Sequence, residues 1–257
     1  MEFVKRKLTF ISIPVISVIL FIGCAGKKPM DQLSLEERFK RGHEYLDKEK
    51  YYNAQQEFQI IVLSGSHTDL GDDAQFYLAE SYFKNKEYIL AISEYERLTR
   101  KMKYSEYVEK ARWRICEAYV KESPNYYHDQ TSTDKALQKL QEFIDEYPNS
   151  EFSDDANDTI QKLRNKLAEK VFHSGELYIK LHAFDSAIIA FHDLLDRYYD
   201  TDVAEKAHVG IIQAYALLND AENANKYFNN NSDKIKSTES KQKVRNYINS
   251  IVEIKDE

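Results

Sequence analysis

Between Asp72 and Ser105 the apolar residues return every three or four positions, first as Ala74, Leu78, Ala79 and Tyr82, then as Ala91, Ile92, Tyr95 and Leu98. Each set falls on one face of a helix, so the stretch predicts two amphipathic helices. Asn85-Lys86-Glu87 supplies the polar turn between them. Ala79 and Ala91 are small enough to let the two helices approach closely, with Tyr82 and Tyr95 filling the space beside them. One such hairpin cannot cover its own apolar face. Copies of it are therefore expected along the chain.

Four are found. Aligned on Ala79 and Tyr82, they are Gly42/Tyr45 with Ala54/Phe58, Cys116/Tyr119 with Ala136/Leu140, Gly175/Tyr178 with Ala187/Phe191, and a weaker Ile212/Tyr215 with Ala224/Phe228. A Ser or Thr stands six residues before an Ala at Thr68/Ala74, Ser105/Ala111, Ser150/Ala156 and Thr201/Ala207. A hydroxyl there suits helix capping. The pattern of small residue, Tyr, Ala and aromatic resembles the tetratricopeptide repeat with a lengthened linker. The expected fold is an all-α tetratricopeptide-repeat solenoid of about five hairpins. A C-terminal capping helix over Thr238–Glu253 would bury Val244, Tyr247, Ile248 and Ile251.

The period breaks in the third hairpin, where Ser123 to Thr133 is inserted. Pro124 is expected to end the preceding helix, and Thr133 with Asp134 to cap the next. Inserts of this kind are surface loops and frequent docking points. From Ser153 to about Lys180 only Gly175 interrupts good helix formers. One long helix is predicted, capped by Ser153, with Asp154-Asp155 at its positive end.

Composition supports the class: 257 residues hold only 7 Gly and 4 Pro. The first 23 residues read differently. Lys5-Arg6-Lys7 precedes a largely apolar run from Leu8 to Ile22, short for a membrane span and suited to a secretory signal. It ends in Gly23-Cys24, which resembles a bacterial lipobox, in which Cys24 would be acylated and become the mature N-terminus. Several acyl chains together anchor stably. Ala25 follows the Cys, and the absence of Asp there favours the outer membrane. Removing residues 1–23, which carry a net +2, takes the formal charge from −7 to −9. An acidic body does not suit nucleic acid as a partner. Cys116 is then the one thiol left, placed at a core position, so no intramolecular disulfide is expected.

The seven His residues form no His-Glu-x-x-His pair, and there is no Cys cluster, phosphate loop or Gly-x-Ser-x-Gly elbow. No enzyme, metal or cofactor is expected beyond the covalent lipid on Cys24. Binding remains. If first helices line the concave face, the groove candidates are Phe39, His43, Phe76, Glu80, Phe83, Trp113 and Glu117. Exposed rings at these positions would suit an extended apolar-aromatic peptide.

With lipobox, five repeats, the interrupted third hairpin and the long helix together, the chain resembles the BamD family, outer-membrane lipoproteins of the β-barrel assembly machinery. The residues that carry the resemblance are His128-Asp129-Gln130-Thr131, Tyr147-Pro148-Asn149-Ser150, and Leu167-Ala168-Glu169 leading into Glu176-Leu177-Tyr178. It implies a lipid-anchored protein facing the periplasm from the outer membrane. C-terminal repeats would bind a BamA-like barrel insertase, and N-terminal repeats would hold unfolded outer-membrane proteins. Partner-binding candidates are His128, Asp129, Gln130, Glu176 and Lys180. The chain departs from the family where Lys180-Leu181 replaces Arg-Gly; lysine keeps the charge without the bidentate fork. The first two linkers, Ser66-His67-Thr68 and Lys103-Tyr104-Ser105, also lack the family's Tyr-Pro. The expected organisation is a signal peptide over 1–23, a lipidated tether over 24–34, repeats 1–3 over 35–150, and repeats 4–5 with the capping helix over 151–257. Another envelope lipoprotein scaffold, serving division, pilus assembly or secretion, fits the repeats and lipobox equally well.

Overall fold

The computed structural model describes residues 33–65, 68 and 70–255, with the side chains of residues 65 and 252–255 left aside. The signal peptide, Cys24, the tether up to residue 32, and Ser66-His67 lie outside the described residues. Among the described residues there are eleven α-helices and no strand. They run α1 Leu35–Asp47, α2 Tyr51–Gly65, α3 Gly71–Lys84, α4 Tyr88–Lys101, α5 Val108–Glu122, α6 Thr131–Glu146, α7 Ser153–Lys180, α8 Phe184–Tyr198, α9 Ala204–Leu217, α10 Ala221–Asn231 and α11 Thr238–Lys255. Each helix packs chiefly on its sequence neighbours, and α11 closes the far end against α9. The five hairpins and the terminal helix are all present.

The hairpin turns have a common construction. Glu49, Lys86, His182 and Asn219 adopt left-handed backbone, with φ of 55°, 64°, 57° and 56°. The residue after each donates its amide to the carbonyl of the repeat tyrosine: Lys50 to Tyr45, Glu87 to Tyr82, Ala183 to Tyr178 and Asp220 to Tyr215, at 2.8–3.0 Å. This is the Schellman closure of a helix end. It reverses the chain within three residues, which is why the hairpins keep one register. The third hairpin lacks it because the insert intervenes.

Close helix approach rests on the small positions. A Cβ on Gly42 would lie 2.7 Å from the Phe58 ring, and one on Gly175 would lie 2.4 Å from Phe191. Gly210 on α9 meets the same Phe191 ring at 2.6 Å. Phe191 is therefore clamped between glycines of two successive first helices. Cys116 takes the same role in hairpin 3: it is buried, its Sγ donates to the Lys139 carbonyl at 3.2 Å, and burial pushes the thiol up to about 12.

Several expected caps are not made. Ser153 does not cap α7; its hydroxyl donates to the Tyr147 carbonyl at 3.0 Å, and the cap position falls on Phe152. Thr133 and Asp134 do not cap α6, which begins at Thr131, so the insert is shorter than expected. The linker hydroxyls act one turn earlier. Ser105 and Ser150 accept from the amides of Tyr107 and Phe152, both at 3.2 Å, and their carbonyls close the turns that lead into α5 and α7.

Candidate functional site

The groove candidates on the N-terminal first helices fall into two groups. Phe76 and Trp113 are buried: Phe76 stacks on Tyr107 at 4.5 Å, and Trp113 stacks on Phe152 at 5.3 Å. The expectation that they stand open in a groove is corrected by packing, since each faces the next hairpin's linker aromatic. Phe39 and His43 are half-buried in one ring cluster with Phe58 and Tyr77, in which His43 lies 4.2 Å from Tyr77. Burial holds His43 below its ordinary value of 6.5.

Glu80 is also buried. Its carboxylate accepts from the Tyr95 hydroxyl at 2.5 Å and pairs with Arg114 of the next hairpin at 2.7 Å. Arg114 continues to Glu117 at 2.8 Å and lies over the half-exposed Phe83 ring at 5.1 Å. Desolvation and the Glu80 charge push the Tyr95 phenol well above its usual range. Glu80, Phe83 and Glu117 thus form one network tying hairpins 2 and 3 together, and its central cation, Arg114, had no sequence signal. The same solution appears in hairpin 1, where buried Glu57 accepts from Arg38 at 3.2 Å and Arg41 at 2.7 Å. Of the seven groove candidates, Trp113 and Glu117 do share a cleft, a small one of about 260 Å³ against Asp155, Asp158 and Lys162 of α7.

The insert is anchored rather than free. Gln130 is buried and donates to the carbonyls of Asn125 and His128 at 2.9 and 3.0 Å, while its oxygen accepts from Thr133 at 2.8 Å. It staples the loop to itself, so it cannot also face a partner. Asp129 is exposed; hydrogen bonding to the Thr131 side chain, and then to the Thr131 amide at 3.0 Å, lowers its titration. The loop is then pinned to α7: Lys166 donates to Ser123, Lys170 to the His128 carbonyl, both at 2.8 Å, and Tyr126 stacks on His173 at 4.8 Å. His128 and Asp129 remain on the outer surface.

A wide cleft lies between α7, α9 and α11, with a volume of about 920 Å³. Phe172, Ile179, Val209 and Gly210 give it an apolar floor, and Glu176, Lys180, Lys206 and Lys243 stand at its charged margins. Glu176 pairs with His173 at 2.8 Å, and Lys243 with Glu239 at 2.6 Å; Lys180 is exposed and makes no ion pair among the described residues. The margin is fixed by Glu205, which accepts from the Ser237 amide at 2.9 Å at the start of α11. Burial alone would raise Glu205, but the hydrogen bonds from Ser237 outweigh it and hold the carboxyl low. Glu176 and Lys180 are thus brought together on one side of this cleft, some distance in sequence from the insert. Among the described residues no group of three or more His, Cys, Asp and Glu converges as a metal site, and no helix is long and apolar enough to cross a membrane. An apolar floor with mixed charges at its margins suits a polypeptide segment.

The chain is 25% identical over 214 residues to "Outer membrane protein assembly factor BamD" of Rickettsia prowazekii, covering 80% of this chain and 82% of that protein. It is 23% identical over 201 residues to the protein of the same name from Caulobacter vibrioides, covering 76% of this chain and 66% of that one. Among solved structures it is similar to the TPR2AB domain of yeast Sti1, at 13% identity and a TM-score of 0.42, covering 85% of this chain and 98% of that chain. The sequence profile of the family described as "Outer membrane lipoprotein" (YfiO) matches residues 31–230, from the start of the first hairpin through most of the fifth. A match of that extent, on a chain whose hairpins are built as described above, makes this protein a member of the YfiO outer membrane lipoprotein family.

Proposed function

We propose that this protein is a non-catalytic scaffold of the outer-membrane β-barrel assembly machinery, anchored by acylated Cys24 and facing the periplasm. The observation that carries the reading is the cleft between α7, α9 and α11, in a chain of the outer membrane lipoprotein family whose relatives are named assembly factors. A barrel insertase would dock there through a segment that covers the apolar floor and pairs with the free Lys180. Unfolded barrel proteins would meet the first-helix face of the N-terminal hairpins, where Phe83 and Glu117 stay half-exposed.

Crosslinking the lipidated protein in its native membrane, followed by mass spectrometry of its partners, tests this. Recovery of a large barrel protein with periplasmic repeat domains, crosslinked near Glu176 and Lys180, is expected. Recovery of division, pilus or secretion proteins without a barrel insertase would replace the reading with another envelope scaffold.

A further inference from the structure

The two edges of the solenoid differ in chemistry. Because successive helices alternate in direction, the first helices begin on one edge, at Leu35, Gly71, Val108, Ser153 and Ala204, and the second helices end there. The left-handed turns occupy the opposite edge. The chain enters the fold at Leu35, so an anchor at Cys24 is attached to the linker edge. Residues 24–34 span at most about 40 Å when fully extended.

On that edge the linker between hairpins 2 and 3 stands apart. Arg100, Lys101 and Lys103 fall within four positions, all exposed and none ion-paired among the described residues. Nearby Arg97 and Arg112 are already matched, to Glu94 and Glu146, both at 3.6 Å. Arg100 and Lys103 share a cavity with Glu96, Glu142 and Glu146, of which Glu142 pairs with Lys139 and Glu146 with Arg112, while Asp72 lines the open cleft beside Lys101 and Lys103 and Glu106 follows in sequence. Tyr104 is fully exposed, and Leu63 at the end of the preceding hairpin is 70% exposed. The later linkers carry acids instead: Glu146 and Glu151 before α7, Asp200 and Asp202 before α9. Cations in a last helical turn complement its carbonyls, which accounts for Arg100 and Lys101. It does not account for Lys103 and Tyr104, which lie past the final bond from the Met102 amide to Leu98.

We propose that this corner, residues 100–104, seats the solenoid on an anionic lipid surface. Clustered Lys and Arg are drawn to anionic headgroups, and an exposed tyrosine is at home in the interfacial layer. In a chain with a mature charge of −9, the corner is an exception to a body that such a surface repels. Contact here would hold the N-terminal hairpins against the membrane. The proposal rests on the lipid-anchor reading for its geometry.

The test uses the full-length lipoprotein with Tyr104→Cys, labelled with an environment-sensitive fluorophore, in vesicles of phosphatidylethanolamine and phosphatidylglycerol. Buried Cys116 does not compete for the label. Headgroup-nitroxide lipids are expected to quench the label at position 104 and not one at Lys86→Cys on the opposite edge. Quenching should disappear in high salt, without phosphatidylglycerol, and in Lys101→Glu/Lys103→Glu. Equal quenching at both positions, or quenching at 104 indifferent to lipid charge and to the reversals, overturns the proposal. Flotation reports the anchor separately. If Cys24→Ser floats as well as its parent, the anchor reading fails, and the charge dependence of quenching at 104 still decides the fate of the corner.

Discussion

Replacing Gly175 with Ala tests whether hairpin packing is set by the glycine contacts. Taken alone, the change favours the helix by about 0.5–1 kcal/mol, because Ala loses less backbone freedom than Gly. The new Cβ, however, would lie 2.4 Å from the Phe191 ring. The ring's obvious escape is toward Gly210, where there is no side chain, but it already fills that space and sits within van der Waals reach of the α9 backbone. Overpacking a buried position of this kind costs about 1–3 kcal/mol. The net expectation is a loss of about 1–2 kcal/mol, read by urea unfolding followed by circular dichroism. Phe191→Leu opens a cavity and costs stability on its own, but in its presence Gly175→Ala should be neutral or favourable. The double-mutant coupling should then reach about 1 kcal/mol or more. If Gly175→Ala is stabilising in the parent, or if the two changes add without coupling, the clamp does not exist and α7 and α8 have room to shift.

Among the described residues four other than glycine hold left-handed backbone, so Lys86→Gly and Glu49→Gly should each raise stability by about 0.5–1 kcal/mol, seen as a higher Tm; a fall would mean that their side chains contribute more than the strain they carry. Arg114→Met should cost about 2 kcal/mol by leaving buried Glu80 short of its cation, and adding Glu80→Gln should recover much of that by retaining the acceptor for Tyr95; no recovery would place the loss in packing on Phe83. Burial lowers both His43 and His208, whose unfolded value is 6.5, so the unfolded chain takes up protons first. Stability from these two groups is complete above that pH and is lost as pH falls through it toward their folded values. Melting at a series of pH values should show that slope, reduced in His43→Gln/His208→Gln, and an unchanged slope in the double variant would assign it to other groups.

The repeat period was legible because the same residue types recur at hairpin spacing, and the long helix because almost no breaker follows Ser153. The turn at Asn85-Lys86-Glu87 was legible too, but the left-handed positions were not, because three of the four are Glu, Lys and His, residues that carry no turn signal. Burial on first helices was also hidden. In a solenoid such a helix has neighbours on both flanks, so Phe76 and Trp113, off the hairpin's own apolar face, are covered by the next repeat. Glu57 and Glu80 look like surface acids in sequence, and their burial depends on arginines 16 to 34 residues away. In the C-terminal cleft, Glu176 and Lys180 were picked out by resemblance, whereas Lys206 and Lys243 face them only because α11 folds back onto α9.

The 28 residues of α7 form an uninterrupted rod of about 42 Å, twice the length of most of its neighbours. Its first half, through Ala156 and Leu163, is embedded in the core of hairpin 3, and its second half, through Ala168 and Phe172, in that of hairpin 4. The insert braces the rod at Lys166, Lys170 and His173, near its midpoint. A linker over residues 147–152 joins α6 to this rod, but the rod itself can bend only against its own backbone hydrogen bonds. A twist imposed on the end of α7 that carries Glu176 and Lys180 is therefore transmitted along the shaft to the cleft at Trp113 and Glu117. The two halves of the scaffold turn as one crank.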